Sequence, residues 1–433
     1  MSGLDRRGFC SALGGLALTQ ALPTAARAVA EPTNGERLYA DVVHYAGLGE
    51  HRTASRADDA TTVWLADRLR ATGYGVQTPG FELETFDHDR CWVRVDDHSI
   101  DAFPAWPVVP TPGTRGALRD AAAPGDLTGA IALLVPRYQP GSSFVVPGFG
   151  SAVLDAQARG AAAVVVVTEG PTGDIVALNA HVNRFAWRVP VVQVAGREAS
   201  RLRALSAEGR TVTVAIVGEV RPRARATNVL ATRVAQPGAP AGTVVLTTPK
   251  SGWFACAGER GSGIAIFLAL ADHLARTSRR SLIVASTTGH ELQGLGGEAL
   301  LASHVPPPAE VAAWVHIGAN VASNAVELSR GVRRTDAIHP QRGILVRADH
   351  VPVAARAFAG QPGYREPVDI LSDRAVGEVV LYRRQGYSNL TGLVGGHPLH
   401  HTRLDTPINA TSPAALAPVE QALRTLVTQI IAA

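Results

Sequence analysis

The side chains able to do chemistry fall in a few short stretches. Glu259 stands in Ala257-Gly258-Glu259-Arg260-Gly261, Glu291 follows His290 ahead of a Gly-rich turn, and His400-His401 precede Asp405. A carboxylate facing a pocket has its pKa raised toward the range of a general base, which makes Glu291 a candidate base. The alternative for Glu291 and Glu259 is a helix N-terminus stabilised by the dipole, or for Glu259 a salt bridge with Arg260. His316 is a candidate ligand or acid, with a packed histidine as the alternative, and His401 is a candidate site residue, with a loop or core histidine as the alternative. Lys250 is the only lysine among 41 basic residues. An ammonium can replace a metal's positive charge, and unlike a guanidinium it can lose its proton when desolvated. It adjoins Ser251-Gly252-Trp253-Phe254, where Ser251 is a polar candidate and the two rings suit an apolar group. Cys256 has no base beside it in sequence to make it a nucleophile.

These residues need elements to hold them. Strands are expected at 228–233, 243–248, 282–286 and 311–317, alternating with helices at 261–275 and 295–304. A terminal helix is expected over Pro413–Ile431, with Ser412 as its N-cap. Such alternation specifies an α/β sheet with helices on both faces, whose ligands gather at the C-terminal strand ends. Upstream, residues 36–86 read as helix, helix, strand. The prolines at 104, 107, 110 and 112 suggest a domain edge, followed by a smaller α/β block that closes at Arg221-Pro222-Arg223. The expected organisation is therefore 31–100 and 223–433 in one domain, with 101–222 inserted as a second lobe.

The 433 residues suffice for two or three domains. With 46% hydrophobic and 18% charged residues the chain is not disordered. Its net charge of +4 is scattered, which argues against nucleic acid as a partner. Asp5-Arg6-Arg7-Gly8-Phe9-Cys10, the apolar stretch to Leu22 and the small residues around Ala28 read as a twin-arginine signal over residues 1–30. The expectation is export to the periplasm or beyond, with no transmembrane segment after its removal. Cys91 and Cys256 would then sit where a disulfide is permitted, although two free thiols fit equally well.

Several stretches together resemble the secreted zinc aminopeptidases, a family related to glutamate carboxypeptidase and the transferrin receptor ectodomain. Arg52–Ser55 and Ala66–Tyr74 resemble its opening helices. Gly129–Val135, Gly160–Val167 and Val189–Val194 resemble an inserted protease-associated domain. Ala257–Ala265, Glu291–Gly297 and His401–Thr406 resemble its site loops. The resemblance implies a zinc-exopeptidase-like fold, peptide or small amide substrates, and two zinc ions on five protein ligands with a separate glutamate as base. By that mapping Glu291 keeps the base position, and Glu259 and His401 keep two ligand positions. Pro249, Leu292 and Gly318 take the other three, with His316 as a replacement candidate. Zinc is thus the implied cofactor with a reduced ligand set. Two functions remain open: a hydrolase of peptide or other amide bonds with an altered site, using Glu291, Lys250 and Ser251 and binding substrate on Trp253 and Phe254, or a non-catalytic pseudopeptidase that binds a ligand in the old cleft. The Lys250 amine is expected beside Glu259 or Glu291.

Overall fold

The computed structural model describes residues 33–432 except 138–142, 147 and 183. The signal-like segment lies outside the described residues.

Strand β1 (Gly75–Gln77) opens the main sheet, and the chain then leaves it. β2 (Gly80–Val95), β3 (His98–Pro104), β4 (Thr111–Asp120), β5 (Ile131–Leu134), β6 (Ala163–Thr168), β7 (Val191–Ala195) and β8 (Thr211–Thr227) close into a barrel in the order β2-β3-β7-β6-β5-β4-β8. The barrel thus begins at Gly80 and ends at Thr227, wider than the expected 101–222. Prolines explain the difference. Pro104 is the last residue of β3, and Pro112 and Pro222 fall where the β4–β8 and β2–β8 registers shift. A strand tolerates a missing N–H at its end or at a bulge. Pro104, Pro112 and Pro222 therefore mark strand ends and irregularities, while Pro107 and Pro110 lie in the short connection between β3 and β4.

The main sheet resumes with β9 (Val229–Arg233), β10 (Thr243–Pro249), β11 (Leu282–Thr287) and β12 (Val311–Ile317). After a two-stranded ribbon, β13 (Asn324–Glu327) and β14 (Arg333–Ile338), it is completed by β15 (Arg342–Val346), β16 (Val368–Asp369) and β17 (Leu390–Gly395). The order is β1-β9-β11-β10-β12-β17-β15-β16, with β11, β10, β12 and β17 parallel. These parallel strands are buried on both faces and so read as continuous apolar runs. Val244 and Leu246 face a core shared with helices Asn34–Gly47, Ser262–Thr277 and Pro413–Ala432. Val245 faces the opposite core, with Leu300 and Val379 from helices Leu295–Ser303 and Val379–Arg384. The terminal helix matches expectation to within a residue. Among the described residues, no helix is long and apolar enough to cross a membrane.

The four parallel strands end on one edge. Lys250 follows β10, His290 and Glu291 follow β11, Gly318 follows β12, and His400 and His401 follow β17 by a loop. Non-glycine residues in the left-handed region gather on these loops: Phe254, Cys256, Gln293, Asn320 and His401. Backbone of this kind costs of order 1–3 kcal/mol per residue and collects at functional sites.

Candidate active site

Glu259 and Arg260 sit in one wide helical turn, Ala257–Gly261, ahead of helix Ser262–Thr277. Asp405 fixes that turn, accepting from the backbone N–H of Gly258 at 2.7 Å and of Glu259 at 3.0 Å. The His-Thr-x-x-Asp stretch at 401–405 thus delivers one side chain toward the centre and uses another to cap the turn opposite.

Glu259 is fully buried. Its Oε1 lies 2.8 Å from Arg260 Nη2 and 3.3 Å from His401 Nε2, and its Oε2 lies 3.8 Å from His400 Nδ1. Burial alone would raise its pKa. The Arg260 guanidinium, with His401 and His400, outweighs that and holds the carboxyl well below its ordinary value. The Ala177 carbonyl is 2.8 Å from His401 Nδ1 and can only accept, so Nδ1 carries a proton and Nε2 is directed at Glu259. The His400 and His401 rings stack with centroids 3.9 Å apart.

This centre opens onto a cavity of about 600 Å³ whose wall includes Pro249, Arg260, His290, His316, Gly318, Glu378 and His400. His290 Nδ1 is tightly bonded to Glu378, whose other oxygen accepts from Tyr382 Oη at 3.2 Å. Burial works to raise the Glu378 pKa, but His290 together with His316 and Arg260 holds it down at about 2. His316 is buried on β12, and its Nδ1 meets Thr247 Oγ1 at 3.0 Å. Burial lowers its pKa to about 4.

The other expected site residues lie elsewhere. Glu291 is buried and committed: Thr53 N and Oγ1 donate to its Oε1 at 2.5 Å, and Ser251 Oγ donates to its Oε2 at 2.7 Å. Neither Glu291 nor Ser251 is in the cavity wall. The Lys250 amine is not directed at Glu259 or Glu291. It forms a fully buried ion pair with Asp58, and the Asp58 backbone carbonyl accepts from it at 3.2 Å. Asp58 stands in the first turn of helix Arg56–Ala71, where an acidic residue reads as a dipole partner, so sequence spacing gave no sign of the pairing. Trp253 and Phe254, expected to bind substrate, are buried against Phe103 and Trp106 of the barrel side, with Trp253 5.0 Å from Trp106 and Phe254 4.9 Å from Phe103 between centroids. Sequence reasoning missed Glu378, which lies in a stretch without clear periodicity, and treated Arg260 only as a partner for Glu259. Cys91 and Cys256 are buried free thiols.

A zinc pair does not fit these residues. Pro249 and Leu292 offer no ligand atom. At Gly318 a Cβ would come within 2.7 Å of the Leu393 carbonyl oxygen, leaving no room for a side chain. Glu259, His400 and His401 do bring ligand atoms within 4.8 Å of one another, which a single ion can span. Against that, Asn320 Nδ2 lies 3.0 Å from His400 Nδ1 and competes for its lone pair. Arg260 also already sits against Glu259. A divalent ion about 5 Å from a guanidinium is opposed by roughly 7 kcal/mol at an effective dielectric of 20.

No family model matches the sequence, and no curated protein matches it. Solved structures do. An aminopeptidase from Aneurinibacillus sp. strain AM-1 is 17% identical over 91% of this chain and 93% of its own, with a TM-score of 0.66. A zinc aminopeptidase from Bacillus subtilis is 14% identical over 92% and 95%, with a TM-score of 0.70. A peptidase M28 precursor from Shewanella amazonensis is 16% identical over 91% and 92%, with a TM-score of 0.72. The fold is that of the zinc aminopeptidases. At these identities the likeness speaks for architecture and leaves the chemistry of the edge to the residues present.

Proposed function

We propose that this protein is an exported hydrolase of peptide or other amide bonds whose cleft works without the zinc pair that the family resemblance implies. One observation carries the reading. Buried polar atoms lacking a well-aligned hydrogen bond gather at the C-terminal edge of the parallel strands, where α/β sheets bind ligands, namely both Glu259 carboxylate oxygens, Arg260 Nη2, His316 Nε2 and His401 Nε2. Buried polar groups are otherwise nearly always satisfied, so such a concentration beside a 600 Å³ cavity marks a surface built for a polar ligand. The Arg260 guanidinium lies against Glu259 and supplies the charge that a metal would supply to a developing oxyanion. Export rests on the twin-arginine stretch, and the peptide class rests on the fold.

The test is hydrolysis of amino-acid p-nitroanilides and of short peptides by the purified chain before and after chelation, with zinc measured on the same sample. Turnover that survives chelation, at well below two zinc per chain, is the expected result. Two zinc per chain with chelation-sensitive turnover would restore a conventional peptidase. Absence of turnover on every probe would leave a binding protein.

A further inference from the structure

Within that hydrolase reading, we propose that His290 is the catalytic base, that Glu378 positions it, and that Arg260 and His316 hold the oxyanion. The role that the resemblance gives to Glu291 passes to its neighbour in the chain.

Consecutive residues at the end of β11 face different surroundings. Glu291 turns inward, where three donors engage its carboxylate. It is fully buried and is not part of the cavity wall. His290 turns outward onto the cavity wall with its side chain 22% exposed, enough for a water to reach it. Glu378 engages Nδ1, which fixes the ring plane and leaves Nε2 as the nitrogen able to take a proton. Glu378 is itself fixed by Tyr382 Oη and, at 3.4 Å, by Thr287 Oγ1. A carboxylate orienting an imidazole whose far nitrogen takes the proton is the arrangement that general-base histidines use in unrelated hydrolases.

The oxyanion donors follow from the same wall. Arg260 Nε donates to the Ser251 carbonyl at 3.0 Å, which anchors the guanidinium. For the oxyanion role His316 carries its proton on Nε2. Thr247 Oγ1 accepts from Trp314 Nε1 at 2.9 Å and in that tautomer donates to His316 Nδ1 at 3.0 Å. Nε2 is then a buried donor on a cavity-wall residue, with no hydrogen-bond partner among the described residues.

The step balances without a metal. His290 Nε2 takes a proton from water as the water oxygen bonds to the carbonyl carbon, and the oxyanion rests on Arg260 and His316. The C–N bond then breaks, and His290 returns the proton to the leaving nitrogen. The products are a carboxylic acid and an amine.

The experiment uses the chelated full-length chain on amino-acid p-nitroanilides, with urea midpoints recorded for every variant. His290→Gln should lower kcat by 10²–10⁴-fold, the range for a general base. Glu378→Gln should lower kcat with KM unchanged, and Glu378→Asp should recover part of the loss, which a merely structural carboxylate would not give. His316→Phe should cost 10²–10³-fold, as for one oxyanion donor. Glu291→Gln is the opposing arm. A larger fall in kcat there than in His290→Gln, at comparable stability, overturns the assignment while leaving the hydrolase reading intact; should that variant fail to fold, undiminished kcat in His290→Gln overturns it as well. Absence of turnover in the unaltered chain overturns both.

Discussion

Two buried ion pairs stand near the same sheet edge and differ in one respect. At Lys250–Asp58 every polar atom is engaged. The amine bonds the Asp58 carboxylate and carbonyl, and the carboxylate's second oxygen accepts from Ala54 N at 3.0 Å and Thr288 Oγ1 at 2.7 Å. At Arg260–Glu259, both carboxylate oxygens and one guanidinium nitrogen lack a well-aligned hydrogen bond. The first pair ties helix Arg56–Ala71 to the sheet and offers nothing to a ligand. The second leaves part of its polar capacity unused, with Arg260 in the cavity wall. Rarity of residue type drew attention to Lys250, but satisfaction of hydrogen bonds separates a structural pair from a functional one.

The sharpest way to break this comparison is to remove one partner from each pair. Lys250→Met strands the fully buried Asp58 and should cost about 3–5 kcal/mol in urea unfolding. Arg260→Met leaves Glu259 with His401 beside it and the cavity at hand, so its cost should be smaller by about 1–2 kcal/mol, while turnover is lost. Equal costs would mean that the two pairs play the same role.

Acid separates a third carboxylate from these. Glu378 is held at about 2, against an ordinary value near 4.5. A depressed folded-state pKa contributes stability that is complete above the unfolded value and is lost as pH falls through the folded one. Stability should therefore drop between about pH 4.5 and pH 2, by on the order of 3 kcal/mol from this group, and Glu378→Gln should flatten that slope in urea midpoints. An unchanged slope would mean that the His290 contact does not hold Glu378 down.

The smallest effect concerns the thiols. Burial pushes both Cys91 and Cys256 up from the usual thiol range, so a disulfide-exchange reagent should leave both unmodified in the native chain and titrate both after denaturation, with no change on prior reduction. Titration of only the reduced, denatured protein would reveal a disulfide.

The parallel strands and the terminal helix were legible because each is a long run of apolar residues with one period. The barrel's limits were not, because β2 and β8 alternate exposed charges with buried residues and continue past Pro222 by a register shift. The short strands β13 to β16 carry too few apolar residues to show a pattern. At the site, Glu259 and His401 could be found through motif remnants, and the structure brings them together. Glu378 and Asp58 could not, since each acquires its meaning from a partner 88 or 192 residues away. Lys250 misled because composition says nothing about direction.

The aromatic contact between Phe103, Trp106, Trp253 and Phe254 has a bearing on how the chain folds. Each such ring buries about 150–250 Å², which at about 25 cal/mol per Å² is several kcal/mol per ring, part of it across the seam. Backbone bonds from Ala177 to His401 and from Ala180 to Glu291 close the same seam. Cut out at Gly80 and Thr227, the barrel would carry two bare rings and a frayed loop into water, and the remaining sheet would lose the clamp on His401. The barrel is therefore not a detachable module: the two cores should melt in a single cooperative transition, and neither half is a soluble protein in waiting.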